Sequence, residues 1–183
     1  LPTTVVIGKG ILSNIPDAID LSGYTQFVIV TEEQLRTPFG SKLEEGLQKT
    51  GKPVHVFTSE GSELNKTEEE ADRILAGVLQ IDPPIDRKIL MLALGGGAMG
   101  DVTGYVASRT LRGVDYFQVP TTLLAMVDSS LGGKTAVDYG GVKNRIGSFH
   151  LPRATVEDID VLRSLPERQI NSGLAEFVKY AFL

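Results

Sequence analysis

Three glycines at 95, 97 and 100, followed by Asp101, satisfy the pattern G-x-G-x-x-G. Glycines so spaced let a backbone turn sharply and approach a pyrophosphate, and a helix opening there offers unpaired N–H groups and the positive end of its dipole. The same spacing also serves a tight strand-to-helix turn with no ligand. A Rossmann site places an acid about 20 residues on, at a strand end, to hold a ribose. Asp115 has that spacing but stands ahead of its strand, so a nucleotide here is expected to be held in another manner. A second group runs from Asp128-Ser129-Ser130 to Gly132-Gly133-Lys134-Thr135, preceded by Thr121 and Thr122. Its Gly-Lys-Thr ending matches a P-loop, but Asp128 occupies the place of that loop's first glycine, so the motif fails. A lysine among glycines, beside an acid and several hydroxyls, suits a phosphorylated polyol; a helix end with a solvated lysine is the plainer alternative.

Two smaller groups follow. Lys143-Asn144, after Gly140-Gly141, suits an anion or a ribose, or is a solvated turn. Glu176 and Lys179 lie three residues apart on a helix face, the spacing of a surface ion pair. The sharper reading is a metal-binding carboxylate beside a substrate lysine. Glu176 cannot complete such a site alone, since zinc takes three or more protein ligands. Glu63-x-x-Lys66 reads by itself as a solvated loop.

The elements that must position these groups can be read from periodicity. Short apolar strands are expected at 4–7, 26–31, 54–57, 89–94 and 116–119, and the run 89–94 has the continuous apolar character of a central parallel strand. Helices are expected at 11–19, 37–50, from a Thr67/Glu70 capping box to about 81, at 101–111 and at 166–183. Alternating strands and helices indicate an α/β fold with a parallel sheet. Residues 138–145 (DYGGVKNR) read as an irregular functional loop. The last helix carries an apolar stripe, including Leu174, Phe177 and Val178, that runs to Leu183 without a cap. The expectation is that the natural polypeptide continues.

Composition narrows the class. The chain has 183 residues, 42% hydrophobic and 22% charged, with a net charge of -5. These values fit one folded domain and carry no nucleic-acid footprint. No apolar run approaches the ~20 residues that span a bilayer, and the first residues show no leader pattern. There is no cysteine, and His55 and His150 are the two histidines, so neither a thiolate nor a multi-histidine metal site is available.

Taken together, the blocks GGGAMGD (95–101), RGVDYFQVPTTLLAMVDSSLGGKTAV (112–137), KNRIGSF (143–149) and SGLAEFVKY (172–180) resemble the 3-dehydroquinate synthase family, and the likeness extends from about Val5 to Leu183. The resemblance implies a Rossmann-like NAD-binding domain over 1–165, then over 166–183 the first helix of a truncated, all-helical metal and substrate domain. The implied activity is conversion of 3-deoxy-arabino-heptulosonate 7-phosphate to 3-dehydroquinate and phosphate, with NAD and a divalent metal, zinc or cobalt. Glu32, Glu63 and Lys66 match positions around the adenosine and ribose of NAD. Gly96, Gly97, Ala98 and Asp101 match the pyrophosphate turn. Thr121, Thr122 and Leu124 match the nicotinamide side, and Lys143 and Ser164 match further cofactor contacts. Asp128, Lys134, Asn144 and Lys179 match substrate-binding positions, and Glu176 the first metal ligand. Arg112 matches an arginine that reaches the neighbouring subunit's phosphate site, which implies a homodimer. A cytoplasmic enzyme is implied, without nucleic-acid or membrane partners. The family's two metal-ligand histidines match neither His55 nor His150, so the segment alone is expected to bind NAD weakly and release no phosphate. Alternatives are another sugar-phosphate cyclase (a deoxy-inosose or valiolone synthase), a metal-dependent polyol dehydrogenase of related fold, and an inactive nucleotide-binding module.

Overall fold

The structure is a computed structural model describing residues 2–60 and 63–182. Six strands form one parallel sheet: β1 (Thr4–Gly8), β2 (Gln26–Glu32), β3 (Val54–Ser59), β4 (Ile89–Gly95), β5 (Asp115–Pro120) and β8 (Ala154–Asp158), in the order β1-β8-β5-β4-β2-β3. Two further strands, β6 (Lys134–Tyr139) and β7 (Val142–Phe149), pair antiparallel as a separate hairpin. The helices are the short α1 (Ile15–Ala18) and α2 (Glu33–Leu35), then α3 (Ser41–Gln48), α4 (Glu68–Leu79), α5 (Gly97–Arg109) and α6 (Glu167–Phe182).

The central strands are buried on both faces, which is why β2 and β4 read as unbroken apolar runs rather than alternating ones. Alternate residues serve opposite cores. Phe27 and Ile29 of β2 pack with Leu12, Ile15, Leu43 and Leu47 on the α1/α3 side. Val28 and Val30 pack with Ile74, Val78 and Val106 on the α4/α5 side, where Val137 of the hairpin joins them. The hairpin lies against α5 at Gly104, where a Cβ would fall 2.4 Å from Thr135 Cγ2 and 3.0 Å from the Tyr116 ring. The absent side chain sets how closely β6 approaches the sheet.

The chain departs from the periodicity reading in four places. The 138–145 segment is not an irregular loop; it comprises the end of β6, a Gly140-Gly141 turn with positive φ at both glycines, and the start of β7. Strand β8 was not expected, because Glu157 and Asp158 mask its apolar pattern. Helix α5 begins at Gly97 rather than near Asp101, so two of the three motif glycines lie inside it. The expected 37–50 helix is divided into a wide π-helical turn at Arg36–Gly40 and α3. Other features agree. Glu70 N–H donates to the capping Thr67 hydroxyl, although the Glu70 carboxylate turns to Arg73 instead of closing the box. Asp115 begins β5 at the opposite end of the sheet from the glycine turn, and is paired with Arg153.

Two outcomes follow from this packing. Gly104→Ala gains about 1 kcal/mol of helix propensity but overpacks a closed contact, at a cost of about 1–3 kcal/mol. The expected net result is a lower urea midpoint, whereas Gly23→Ala, at a site open within 4 Å, leaves it unchanged. Buried Glu157 has its carboxyl pushed up to about 7 by desolvation, from an ordinary value of 4.5. Between those pH values the unfolded chain has lost a proton that the folded chain keeps, so stability falls as pH rises through that window. Glu157→Gln is therefore expected to raise unfolding free energy at pH 8 by about 1–3 kcal/mol and to change it little at pH 4.5, as read by urea titration at both values.

Candidate active site

The functional residues gather at the carboxyl ends of the strands. From β2 the chain runs outward to β3, then returns to β4 on the other side and continues to β5. A crevice therefore opens between the ends of β2 and β4, the switch point where parallel α/β sheets bind ligands. A cavity of about 660 Å³ occupies it, lined by Glu32, Glu63, Gly96, Gly97, Ala98, Thr121, Thr122, Leu124 and Ser164, together with Gln34, Phe39 and Gln169 among others. Nine of the twelve cofactor positions expected from sequence thus lie around one cavity.

Its floor is the glycine turn. A Cβ on Gly95 would stand 2.7 Å from Met99 Cβ, and one on Gly97 would stand 3.0 Å from Ser129 Oγ. Gly96 caps α5 without a side-chain hydrogen bond, so the first-turn N–H groups of this 13-residue helix face the crevice without a capping oxygen. The third glycine acts away from the crevice. At Gly100 a Cβ would lie 2.5 Å from Gln118 Oε1, so this residue sets the approach of α5 to β5. Buried Glu32 supplies the acid at a strand end that Asp115 cannot. Its carboxylate accepts from Gln34 Nε2 at 2.7 Å and from Gly96 N–H at 3.4 Å.

A second cavity, of about 620 Å³, lies beyond Gly97. Asp101, Asp128, Ser129, Lys134, Asn144 and Ser148 line it, with Thr135 and Phe149. The walls of the two cavities are neighbours at Gly97 and Ser129, where a Cβ on Gly97 would stand 3.0 Å from Ser129 Oγ. Asp128 and Ser129 end a π-helical turn at Ala125–Ser129 that swings them toward this second space. The hairpin supplies Lys134 from the start of β6 and Asn144 from β7.

The remaining cofactor candidates, Lys66, Asp101 and Lys143, lie outside the first cavity. Lys66 is buried and donates to Asp101 Oδ2 and to Asn144 Oδ1, both at 2.5 Å. The reading of Glu63-x-x-Lys66 as a solvated loop is thereby corrected for Lys66, while Glu63 is exposed as expected. Burial raises the Asp101 carboxyl above its ordinary range, and the Lys66 ammonium opposes that shift. Lys143 pairs with Glu63 at 3.0 Å, and this contact raises the lysine's pKa.

Helix α6 borders the first cavity and touches a wall residue of the second, while Glu176 and Lys179 line neither. Gly173 seats it against Leu123, and Gln169 and Ser172 reach the first cavity. Lys179 is bonded to Glu176, which raises the lysine's pKa, and the Tyr180 hydroxyl donates to Asp128 Oδ1 at 3.1 Å. Tyr180 was missed from sequence, although its spacing of four from Glu176 puts it on the same face. Gln34 and Ser148 gave no sequence signal. Arg112 is exposed at φ 71 beside Leu111 at φ 49, and lines neither cavity. Among the described residues no group of three or more His, Asp or Glu could hold a metal ion. Glu176 is thus one carboxylate without co-ligands here. Leu174, Phe177, Val178 and Phe182 of α6 are exposed, and Leu183 lies outside the described residues.

A parallel sheet with a glycine-floored crevice at its switch point, and beside it a polar cavity holding Lys134 with Asp101 and Asp128, defines an α/β protein of the nucleotide-binding class. Solved structures agree. The chain superimposes on 2-deoxy-scyllo-inosose synthase complexed with carbaglucose-6-phosphate, NAD+ and Co2+ with a TM-score of 0.88 and 28% identity, covering 96% of this chain and 48% of that one. It superimposes on 2-epi-5-epi-valiolone synthase from Streptomyces hygroscopicus with NAD+ and Zn2+ bound, with a TM-score of 0.83 and 29% identity, over 96% and 48%. The family model described as 3-dehydroquinate synthase N-terminal matches residues 56–172. The 3-dehydroquinate synthase of Prochlorococcus marinus subsp. pastoris is 39% identical over 98% of this chain and 50% of its own, and that of Xylella fastidiosa (strain M12) is 40% identical over 98% and 48%. The chain belongs to the 3-dehydroquinate synthase family, and it spans about half the length of these curated relatives.

Removing the Asp101 charge strands the buried Lys66 ammonium. Because the Asp101 side chain retains 22% exposure, Asp101→Leu is expected to cost about 2–4 kcal/mol in urea unfolding, toward the lower end of the range for broken buried pairs.

Proposed function

We propose that this chain is the nucleotide-binding part of a 3-dehydroquinate synthase, and that the whole protein converts 3-deoxy-D-arabino-heptulosonate 7-phosphate to 3-dehydroquinate and phosphate. The observation that carries this reading is the adjacency of two cavities, one walled by Gly97 and the other by Ser129. One suits a dinucleotide and the other a phosphorylated polyol, and hydride transfer requires the two ligands to touch.

NAD, when bound, supplies a reversible hydride acceptor. The crevice fits it: uncapped N–H groups of α5 face a pyrophosphate, Glu32 and Glu63 face ribose hydroxyls, and Thr121, Thr122 and Leu124 flank the end nearest the second cavity. Glu32 must release Gly96 N–H to the incoming phosphate, since two anions cannot share one donor. In the second cavity Lys134 is a point charge for the substrate phosphate, and Asn144 and Asp128 hydrogen-bond hydroxyls. Tyr180 orients Asp128, and Lys179, bonded to Glu176 outside the lining of this cavity, is proposed to turn to the substrate when Glu176 is engaged elsewhere. Oxidation of one ring hydroxyl acidifies the neighbouring C–H, and these contacts hold the phosphate in place to leave. A divalent metal is part of the proposal for the whole protein, with Glu176 as one ligand. The described residues do not complete its site. Residues 1–165 are proposed as the NAD-binding domain and 166–183 as the start of a helical one. The proposed assembly is a cytoplasmic homodimer in which the exposed Arg112 reaches a neighbouring subunit's phosphate.

The test is product analysis with the polypeptide as translated. Phosphate release from 3-deoxy-arabino-heptulosonate 7-phosphate, with 3-dehydroquinate formed and no net NADH, is expected. A carbocycle formed from a different sugar phosphate would instead support another cyclase, and accumulating NADH a polyol dehydrogenase. Gly97→Val is expected to weaken NAD binding by more than tenfold in a fluorescence titration, because its side chain would press on Ser129 and intrude on the crevice wall at the start of α5.

A further inference from the structure

Lys66 sits between the cavities rather than in the nucleotide crevice. Its backbone carbonyl accepts from Asp138 N–H at 2.7 Å, and Thr67 forms an isolated parallel bridge with Asp138. Asp138 in turn accepts from Asn144 N–H at 2.8 Å, across a hairpin end where Asn144 itself has φ 54. Asn144 is therefore held at its main chain by Asp138 and at its side chain by Lys66.

An ammonium has three donors and no acceptor. The atom of Asn144 that meets Lys66 must then be its oxygen, which leaves the amide nitrogen for the cavity that Asn144 lines. We infer that Lys66 is a positioning residue that fixes the Asn144 amide so that it donates to an acceptor oxygen of the ligand in the second cavity. The ligand class is a phosphate or a hydroxyl-rich phosphate ester. The same ammonium neutralises Asp101, a second wall of that cavity, so an anion is not repelled there. Glu63, three residues before Lys66, lines the first cavity and pairs with Lys143, the neighbour of Asn144. Residues 63–66 thus connect the first cavity, which Glu63 lines, to two wall residues of the second, which Lys66 holds. This rests on the two-cavity reading of function, and differs from it in taking Lys66 away from direct contact with NAD.

The experiment is a pair of titrations of the 183-residue chain, with NAD and with inorganic phosphate, followed by two-dimensional amide NMR. Phosphate is expected to shift the Asn144 side-chain NH2 signals. Lys66→Met is expected to weaken phosphate binding about tenfold and NAD binding less than about threefold. Lys66→Arg, which keeps the cation and its donors, is expected to restore most of the phosphate affinity, a rescue that simple loss of packing would not show. Phosphate affinity unchanged in Lys66→Met, or a loss confined to NAD, overturns the inference while leaving the functional reading intact. A chain that binds neither NAD nor phosphate overturns both. Should Lys66→Met fail to fold, the unaltered chain decides: Asn144 NH2 signals that ignore phosphate overturn the inference, and signals that move with it support the assigned amide orientation.

Discussion

The absence of side chains at residues 95–97 is the constraint on which the rest of the site depends. β4 is buried on both faces and its chain must leave the sheet abruptly into α5. Any Cβ at Gly95 would meet Met99, and one at Gly97 would meet Ser129. Because both are absent, α5 begins directly above the sheet, its amide end opens into the crevice, and the 121–130 segment packs close enough to bring a second cavity against the first. Glycine costs helix stability, about 1 kcal/mol relative to alanine, yet α5 contains Gly97, Gly100 and Gly104 because each one sets a close approach.

A second level of organisation is electrostatic. The hairpin β6–β7 has few main-chain links to the sheet and is held by Lys66, Asp138 and the pair Glu63–Lys143. Of these, the exposed Glu63–Lys143 pair contributes little to stability, as is usual for solvated ion pairs. The buried ammonium of Lys66 is different in kind. Leaving it unpaired would be costly, so its two partners are held where it stands. The positions of Asp101 and Asn144 are in this sense consequences of one buried charge, and the walls of the second cavity follow from them.

Helix α6 shows how one element serves two spaces. Its first turns edge the nucleotide crevice, Gly173 docks it on Leu123, and Tyr180 reaches Asp128 in the second cavity. Its other face, with Leu174, Phe177 and Val178, stays exposed. Glu176 and Lys179 bond to each other, so neither is free for a ligand until the other is engaged elsewhere.

Local pattern was enough for the parallel α/β class, the buried β2 and β4, the Thr67 cap, and the glycine turn with its strand before and helix after. These are short-range properties, set by apolar periodicity and by backbone φ/ψ freedom, and they are written in consecutive residues. Most of the nucleotide crevice, including Thr121, Thr122 and Leu124, could be anticipated through the family resemblance, and the structure puts these residues at the ends of the neighbouring strands β4 and β5. The tertiary structure alone decided the rest. The strand character of β8 is hidden by Glu157, whose burial favours its neutral form, and by Asp158, whose carboxylate accepts from the Gly10 and Leu12 N–H groups that no local window contains. The hairpin was hidden because its turn glycines and polar residues look the same in a loop. Lys66 looked solvated because its partners are 35 and 78 residues away in sequence, and only folding brings an ammonium to a carboxylate and an amide at such separations.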